Sequence, residues 1–312
     1  MIDKTKLELG NKCVDKLIEC RTFDEIKTAI SAFLAAVDAI RDECNGILVW
    51  NLCHQLTEAL AAWAKPYNVV TAPRGSKTNT ILVPPEHAPL MLLKSSIPMN
   101  GSPNDILTTL NGFIARCDEF VPPICDAITE TEIKRVLSAA QKAYRLLDII
   151  TPNEPLNILR FDYSHTVYNS QCGLSDDKTR PATIIVYHPR AVDSHDRVFI
   201  FAHELGHALH QALTGDVTIA PEGFETFNKP YATKLGSVHD MQECFADAAA
   251  LAILNIKGLG THFPTQWSKD ISPNFAWYFR GLCERALKNA GTYTEPLPPP
   301  NLMWQASLYP PR

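Results

Sequence analysis

The chain has 312 residues, 46% hydrophobic and 20% charged, which is enough to bury a sizeable core as one large domain or two modest ones. A formal net charge of −5, with no basic run standing out, excludes the electrostatic footprint of a nucleic-acid or anionic-membrane binder. No apolar run approaches the roughly 20 residues that span a bilayer.

The opening MIDKTKLELG lacks the apolar core of a secretion signal. Nine cysteines are scattered without paired spacing, and Cys13, Cys20, Cys44 and Cys53 fall in helical, mostly apolar surroundings. Reduced, partly buried thiols are therefore expected. The expected location is the cytoplasm, or another cell reached without a signal peptide.

Residues 1 to about 66 show helical spacing of apolar residues in LGNKCVDKLIEC, FDEIKTAISAFLAAVDAI and ILVWNLCHQLTEALAAWA. Thr22 stands where it can cap the second helix. Cys53 and His54 are adjacent, so their side chains diverge, and both are read as core. Between 67 and 102, Pro73, Gly75, Pro84, Pro85, Pro89, Pro98 and Gly101 break the periodicity, with TILV as a short strand. Two helices follow, NDILTTLNGFIARCDEF and TEIKRVLSAAQKAYRLLDII, the second opened by a Thr129/Glu132 capping box.

From 152 the pattern turns strand-like in LNILRFDYS, HTVYN and ATIIVYH, with a polar loop from Asn169 to Pro181. The helical run DRVFIFAHELGHALHQAL, Asp196 to Leu213, comes next, with Ser194 or Asp196 near its start, then an irregular connection, then the helices MQECFADAAALAILNI and SPNFAWYFRGLCERALKNAG. The end, EPLPPPNLMWQASLYPPR, is proline-rich and expected to lie extended on the surface. The expected organisation is a helical N-terminal region at 1–102, a second domain at 103–294 and a proline-rich tail at 295–312. The expected fold class is mostly helical α+β, with a small sheet.

The chemistry concentrates in His203-Glu204-Leu205-Gly206-His207. Residues four apart share a helix face, so His203 and His207 can aim two imidazoles at one ion. Glu204 is placed to reach a water on that ion, which is the H-E-x-x-H zinc pattern with a general base. A catalytic zinc takes three protein ligands. The long form of the motif would put a glycine three residues, and another histidine six residues, after its second histidine; the chain has His210 and Leu213 in those places.

Glu243 is the expected third ligand. Glu243 and Asp247 share a face of an otherwise nearly all-apolar helix, where carboxylates are costly unless paired or ligating. Asp247 is then placed to accept the second ring N–H of a zinc histidine. Asp216 is the competing ligand. Glu222, Glu225, His239 and Asp240 are further candidates, with Asp240 suited to cap the following helix. For the donor to the developing oxyanion, Tyr231 and His239 in the connection both remain open.

HELGH followed by E-x-F-A-D on a downstream helix resembles the Glu-ligand zinc metallopeptidases, the gluzincins. The nearest branch is the anthrax lethal factor-like and Pro-Pro endopeptidase group, which Phe201–Ala208, Tyr231 and Glu243–Ala248 match. The similarity covers roughly residues 180 to 255. His210 stands where that branch often has Asp, and Tyr231 is further from the Glu. The repressor-cleaving metallopeptidases of mobile elements are a second, less well-spaced relative.

The resemblance implies a zincin-like domain, a Zn2+ cofactor held by His203, His207 and Glu243, and peptide-bond hydrolysis. The implied partner is a peptide or protein substrate, not nucleic acid or membrane. ATIIVYH is expected to be the edge strand that pairs with an extended substrate. The rival functions are a dedicated regulatory or effector protease with one target, and a non-catalytic zinc-binding interaction protein.

Overall fold

The computed structural model describes residues 4–41, 46–68, 77–121, 127–151, 155–166, 170–173, 183–188, 197–224, 241–254 and 273–300. Within these the protein is mostly helical, with one small sheet. In chain order the helices are α1 (Lys4–Ile18), α2 (Phe23–Arg41), α3 (Gly46–Asn68), α4 (Ala88–Ser96), α5 (Pro103–Arg116), α6 (Glu130–Tyr144), α7 (Leu146–Ile150), α8 (Arg197–Thr214), α9 (Met241–Leu254) and α10 (Pro273–Asn289). The strands are β1 (Thr78–Val83), β2 (Phe120–Val121), β3 (Leu156–His165), β4 (Ser170–Gly173) and β5 (Thr183–His188). Among the described residues no helix is long and apolar enough to cross a membrane.

Contacts divide the chain into two units. The first comprises Met1–Thr71, Ile81–Pro122 and Phe161–Val167, and the second Ala72–Thr80, Pro123–Arg160 and Tyr168–Arg312. The expected boundary at residue 102 falls inside the first unit, which takes in α5 as well.

In the first unit α2 buries Ile26, Ala29, Ile30, Phe33, Ala36, Val37 and Ile40, one stripe at helical spacing. Its start is a capping box: Glu25 N–H donates to Thr22 Oγ1 at 3.2 Å, and Thr22 N–H donates to Glu25 Oε2 at 3.1 Å. Cys53 is buried, but the pairing of Cys53 and His54 as core needs correction. His54 stacks on Trp50 at the surface and lies 3.2 Å from Glu58. Helix periodicity explains this, since Leu52, Cys53 and Leu56 form the buried stripe and His54 points away from it.

The proline-rich stretch conceals α4, whose residues Ala88–Leu93 are all buried. Its prolines do not break the helix. Pro85 and Pro89 sit in the first positions of a 3-10 turn and of α4, where a missing N–H costs nothing.

In the second unit the helix expected over 131–150 is two helices. Arg145 takes a left-handed conformation, φ 50°, and ends α6. That conformation costs roughly 1–2 kcal/mol for a non-glycine residue. It is offset by side-chain bonds: Arg145 Nε donates to Asp148 at 2.7 Å, and its Nη1 donates to the Thr292 carbonyl at 2.8 Å. Gln141 Oε1 meanwhile accepts from Leu147 N–H at 2.9 Å.

The strand order is β1-β3-β5-β4, with β2 on β3. β4 runs antiparallel to β5, from Ser170 opposite Val186 to Gly173 opposite Thr183. The expectation of ATIIVYH as the edge strand is therefore corrected. β5 lies between β3 and β4, and among the described strands the edge belongs to β4, inside the stretch read as a polar loop. The burial of β5 on both faces, Ile184 to Tyr187, fits an interior strand.

Helices α6 to α10 close over Ile158, Ile184 and Val186, with Phe201, Phe224, Phe245, Phe275 and Phe279 filling the interior. The beginning of the proline-rich tail joins this core. Leu297 is buried; its N–H donates to Glu284 at 3.0 Å and its carbonyl accepts from Arg280 at 2.6 Å.

Candidate metal centre

Helix α8 is set at its first residue. Arg197 donates through Nε and Nη2 to both carboxylate oxygens of Glu132, at 3.0 and 2.8 Å. Glu132 is also the capping-box residue of α6. Burial alone would raise its carboxyl, but Arg197 and Thr129 outweigh that and hold it below the usual range. From Val198 onward α8 is buried on most sides, which suits an apolar run such as VFIFA.

Helix α9 packs against it, buried from Cys244 to Leu254. A helix this apolar has few places for charge, and both carboxylates it carries turn to α8. Asp247 Oδ1 lies 2.7 Å from His203 Nδ1. Glu243 Oε2 lies 3.1 Å from His203 Nε2, and its Oε1 lies 3.4 Å from His207 Nε2. The two histidine Nε2 atoms are 3.0 Å apart.

One donor atom from each of His203, His207 and Glu243 therefore converges within 4.8 Å. With zinc–ligand bonds of about 2.0–2.2 Å, tetrahedral ligand atoms stand roughly 3.3–3.5 Å apart. The observed separations are 3.0, 3.1 and 3.4 Å, so one pair matches that spacing and two are 0.2–0.3 Å tighter, and a bound ion would spread them slightly. The tautomer fits as well. With the Nδ1–H of His203 donating to Asp247, Nε2 is the ring atom turned to the cluster, and loss of its proton frees the lone pair for an ion.

In the absence of an ion the cluster is held by charge. Burial pushes His203 down, but Asp247 and Glu243 outweigh it and raise the imidazole to about 10. Hydrogen bonds from His203 and His207 hold the Glu243 carboxyl far below the ordinary carboxylate range. An arriving cation must displace that proton. The cluster is partly open: Glu243 is 37% exposed, against 16% and 12% for the histidine side chains.

Glu204, next to His203, is buried at 6% exposure. Its carboxylate adds to burial in pushing the Cys172 thiol up, so it lies toward β4. α8 packs on β4 and β5. Asp216 is not in the cluster. Its carboxylate accepts from Thr218 N–H at 2.8 Å and from Thr218 Oγ1 at 2.7 Å, closing a turn after α8.

His210 is fully buried, 4.9 Å from the Phe245 ring, and donates to the Ile219 carbonyl at 2.8 Å. It pins that same loop. Glu222 lies at the surface, 3.7 Å from Arg285. Tyr231, His239, Glu225 and Asp240 lie outside the described residues. Sequence reasoning passed over Gly206 and Cys172. A glycine mid-helix in a buried run was the available signal for the first; for the second there was none, since β4 was read as loop.

Comparison of the chain with protein-family models, with curated proteins and with solved structures gave no match. The class defined by fold and site is thus a mostly helical α+β protein carrying a His-His-Glu group able to hold a metal ion.

Proposed function

We propose that the protein is a zinc-dependent endopeptidase of the Glu-ligand class, nearest the lethal factor-like and Pro-Pro endopeptidase branch, with a zincin-like second unit. The observation that carries this reading is the convergence of His203, His207 and Glu243 beside Glu204, with Asp247 behind His203. Zinc suits two imidazoles and one carboxylate, and a three-ligand site leaves a position for water, unlike a closed structural site. The exposed side of Glu243 supports such an open position.

Zinc bound there supplies a Lewis acid for the scissile carbonyl and an acidified water. Glu204 takes a proton from the attacking water and passes it to the leaving amine as the C–N bond breaks. Asp247 fixes the ring and tautomer of His203. Tyr231, or failing it His239, donates to the carbonyl oxygen as it gains negative charge. The outer edge of β4 takes over the substrate-pairing role assigned to β5, since strand addition binds extended peptide through backbone groups.

The test is incubation of zinc-loaded protein with a diverse peptide library, with and without a chelator. Chelator-sensitive cleavage at many sites is expected. Cleavage of a single motif would instead mark a dedicated regulatory or effector protease. No cleavage by zinc-loaded protein would leave a non-catalytic zinc-binding interaction protein.

A further inference from the structure

Gly206 stands three residues after His203 and one before His207; Ala246 stands three after Glu243 and one before Asp247. The two meet where α8 crosses α9. A Cβ at position 206 would lie 2.7 Å from Ala246 Cα, 2.8 Å from its carbonyl oxygen and 3.1 Å from its carbonyl carbon. These are backbone atoms, so no side-chain rotation relieves the clash. Gly206 is also fully inside a helix, where alanine is the better helix former. Local helix formation does not explain glycine here, but the close approach of the two backbones does.

The contact lies amid the four groups that build the centre. Glu243 and Asp247 reach His203 at 3.1 and 2.7 Å from a backbone held this near. A glutamate is the longest carboxylate side chain available, so a wider crossing has no simple compensation from α9. We infer that Gly206 is a positioning residue for the metal centre: its missing side chain sets the α8–α9 spacing and through it the bite of His203, His207 and Glu243. This rests on the zinc-centre reading above. Gly206 touches neither substrate nor ion; it acts through the ligands.

The experiment measures zinc and cadmium affinities of the full chain by chelator competition, in wild type, Gly206→Ala, Ala246→Val and Leu287→Ala. Ala246→Val adds volume at the buried α9 residue whose backbone Gly206 meets, and serves where Gly206→Ala fails to fold. Leu287→Ala opens a cavity in the core of the same unit, on α10 and not on either crossing helix. The crossing variants are expected to lose zinc affinity by about tenfold or more, an effect of the size seen when ligand support is removed. They are also expected to shift preference by about threefold or more toward the larger cadmium ion, since a wider site favours the longer bonds.

Leu287→Ala is expected to melt earlier yet keep both affinities within roughly twofold, because its loss is confined to packing. An unchanged zinc-to-cadmium ratio in the crossing variants overturns the inference, as does an equal shift in Leu287→Ala. Wild type that binds one zinc while the crossing variants match it leaves the zinc centre standing and removes the role of Gly206. Wild type that binds no zinc removes both.

Discussion

Replacing Asp247 by alanine takes away the acceptor for the His203 Nδ1–H, 2.7 Å away, at a position only 5% exposed. Asp247 and Glu243, with a smaller part from Glu204, lift His203 from 6.5 to about 10 against its burial, a net effect on the order of 5 kcal/mol. Part of that charge balance works against zinc, because it favours the proton that zinc must displace. The part that works for zinc is orientation and tautomer. Its loss weakens metal binding about 10- to 100-fold, or roughly 1.4–2.7 kcal/mol.

Asp247→Asn separates the two contributions, since it keeps an acceptor oxygen and removes the charge. Its zinc affinity is expected to fall less than that of Asp247→Ala, and the gap to wild type to narrow as the pH is lowered. In the metal-free wild type, a raised histidine stabilises the fold fully below pH 6.5 and loses that contribution as pH rises through about 10. Both variants should flatten this window. The assay is competition with a chromophoric chelator across pH, with urea midpoints measured on the metal-free protein. Zinc affinity of Asp247→Ala within a factor of roughly two of wild type would refute the reasoning, because a supporting carboxylate is expected to matter about tenfold or more.

Glu204→Gln keeps the shape and removes the base; zinc should stay bound while peptide hydrolysis falls by about 10²–10⁴-fold, read from kcat of the metal-replete protein. Tyr231→Phe removes one hydroxyl, and kcat is expected to drop about tenfold or more with zinc content and Tm nearly unchanged. An unchanged kcat assigns Tyr231 to packing and moves the question to His239→Ala. In the second unit, burial would raise the Asp148 carboxyl, but Lys77, Arg145 and Gln141 outweigh it and hold it below 3.8. Its stabilisation is present above pH 3.8 and lost as pH falls through the folded-state value, so Asp148→Asn should cost about 2 kcal/mol at pH 6 and flatten the acid limb of the urea midpoint.

The two helices of the centre were legible because their ligands obey one rule. Residues four apart share a helix face, and both pairs, His203/His207 and Glu243/Asp247, were visible as such. That Asp247 serves His203 rather than His207, and how closely the pairs meet, were not, because both depend on the crossing at Gly206, where the deciding quantity is a distance between backbones far apart in sequence. Arg145 shows the same limit. The apolar period runs on through 131–150, and the break is sustained by side-chain bonds that the period does not show, from Arg145 to Asp148 and to the distant Thr292 carbonyl. Helix α4 was hidden by prolines whose positional meaning depends on where the helix starts. β4 is short and polar, so nothing local marked it as a strand; its pairing with β5 does. For Tyr231 and His239 the reading still stands on sequence alone.

The central claim is that His203, His207 and Glu243 hold one ion. Zinc per chain, measured by elemental analysis after loading and exhaustive dialysis, tests it most directly when wild type and Glu243→Ala are compared. The expected result is one zinc in wild type and well below one in Glu243→Ala, since a three-ligand site reduced to two imidazoles loses its charge and its geometry. One zinc retained by Glu243→Ala, with metal lost instead on Asp216→Ala, would contradict the account.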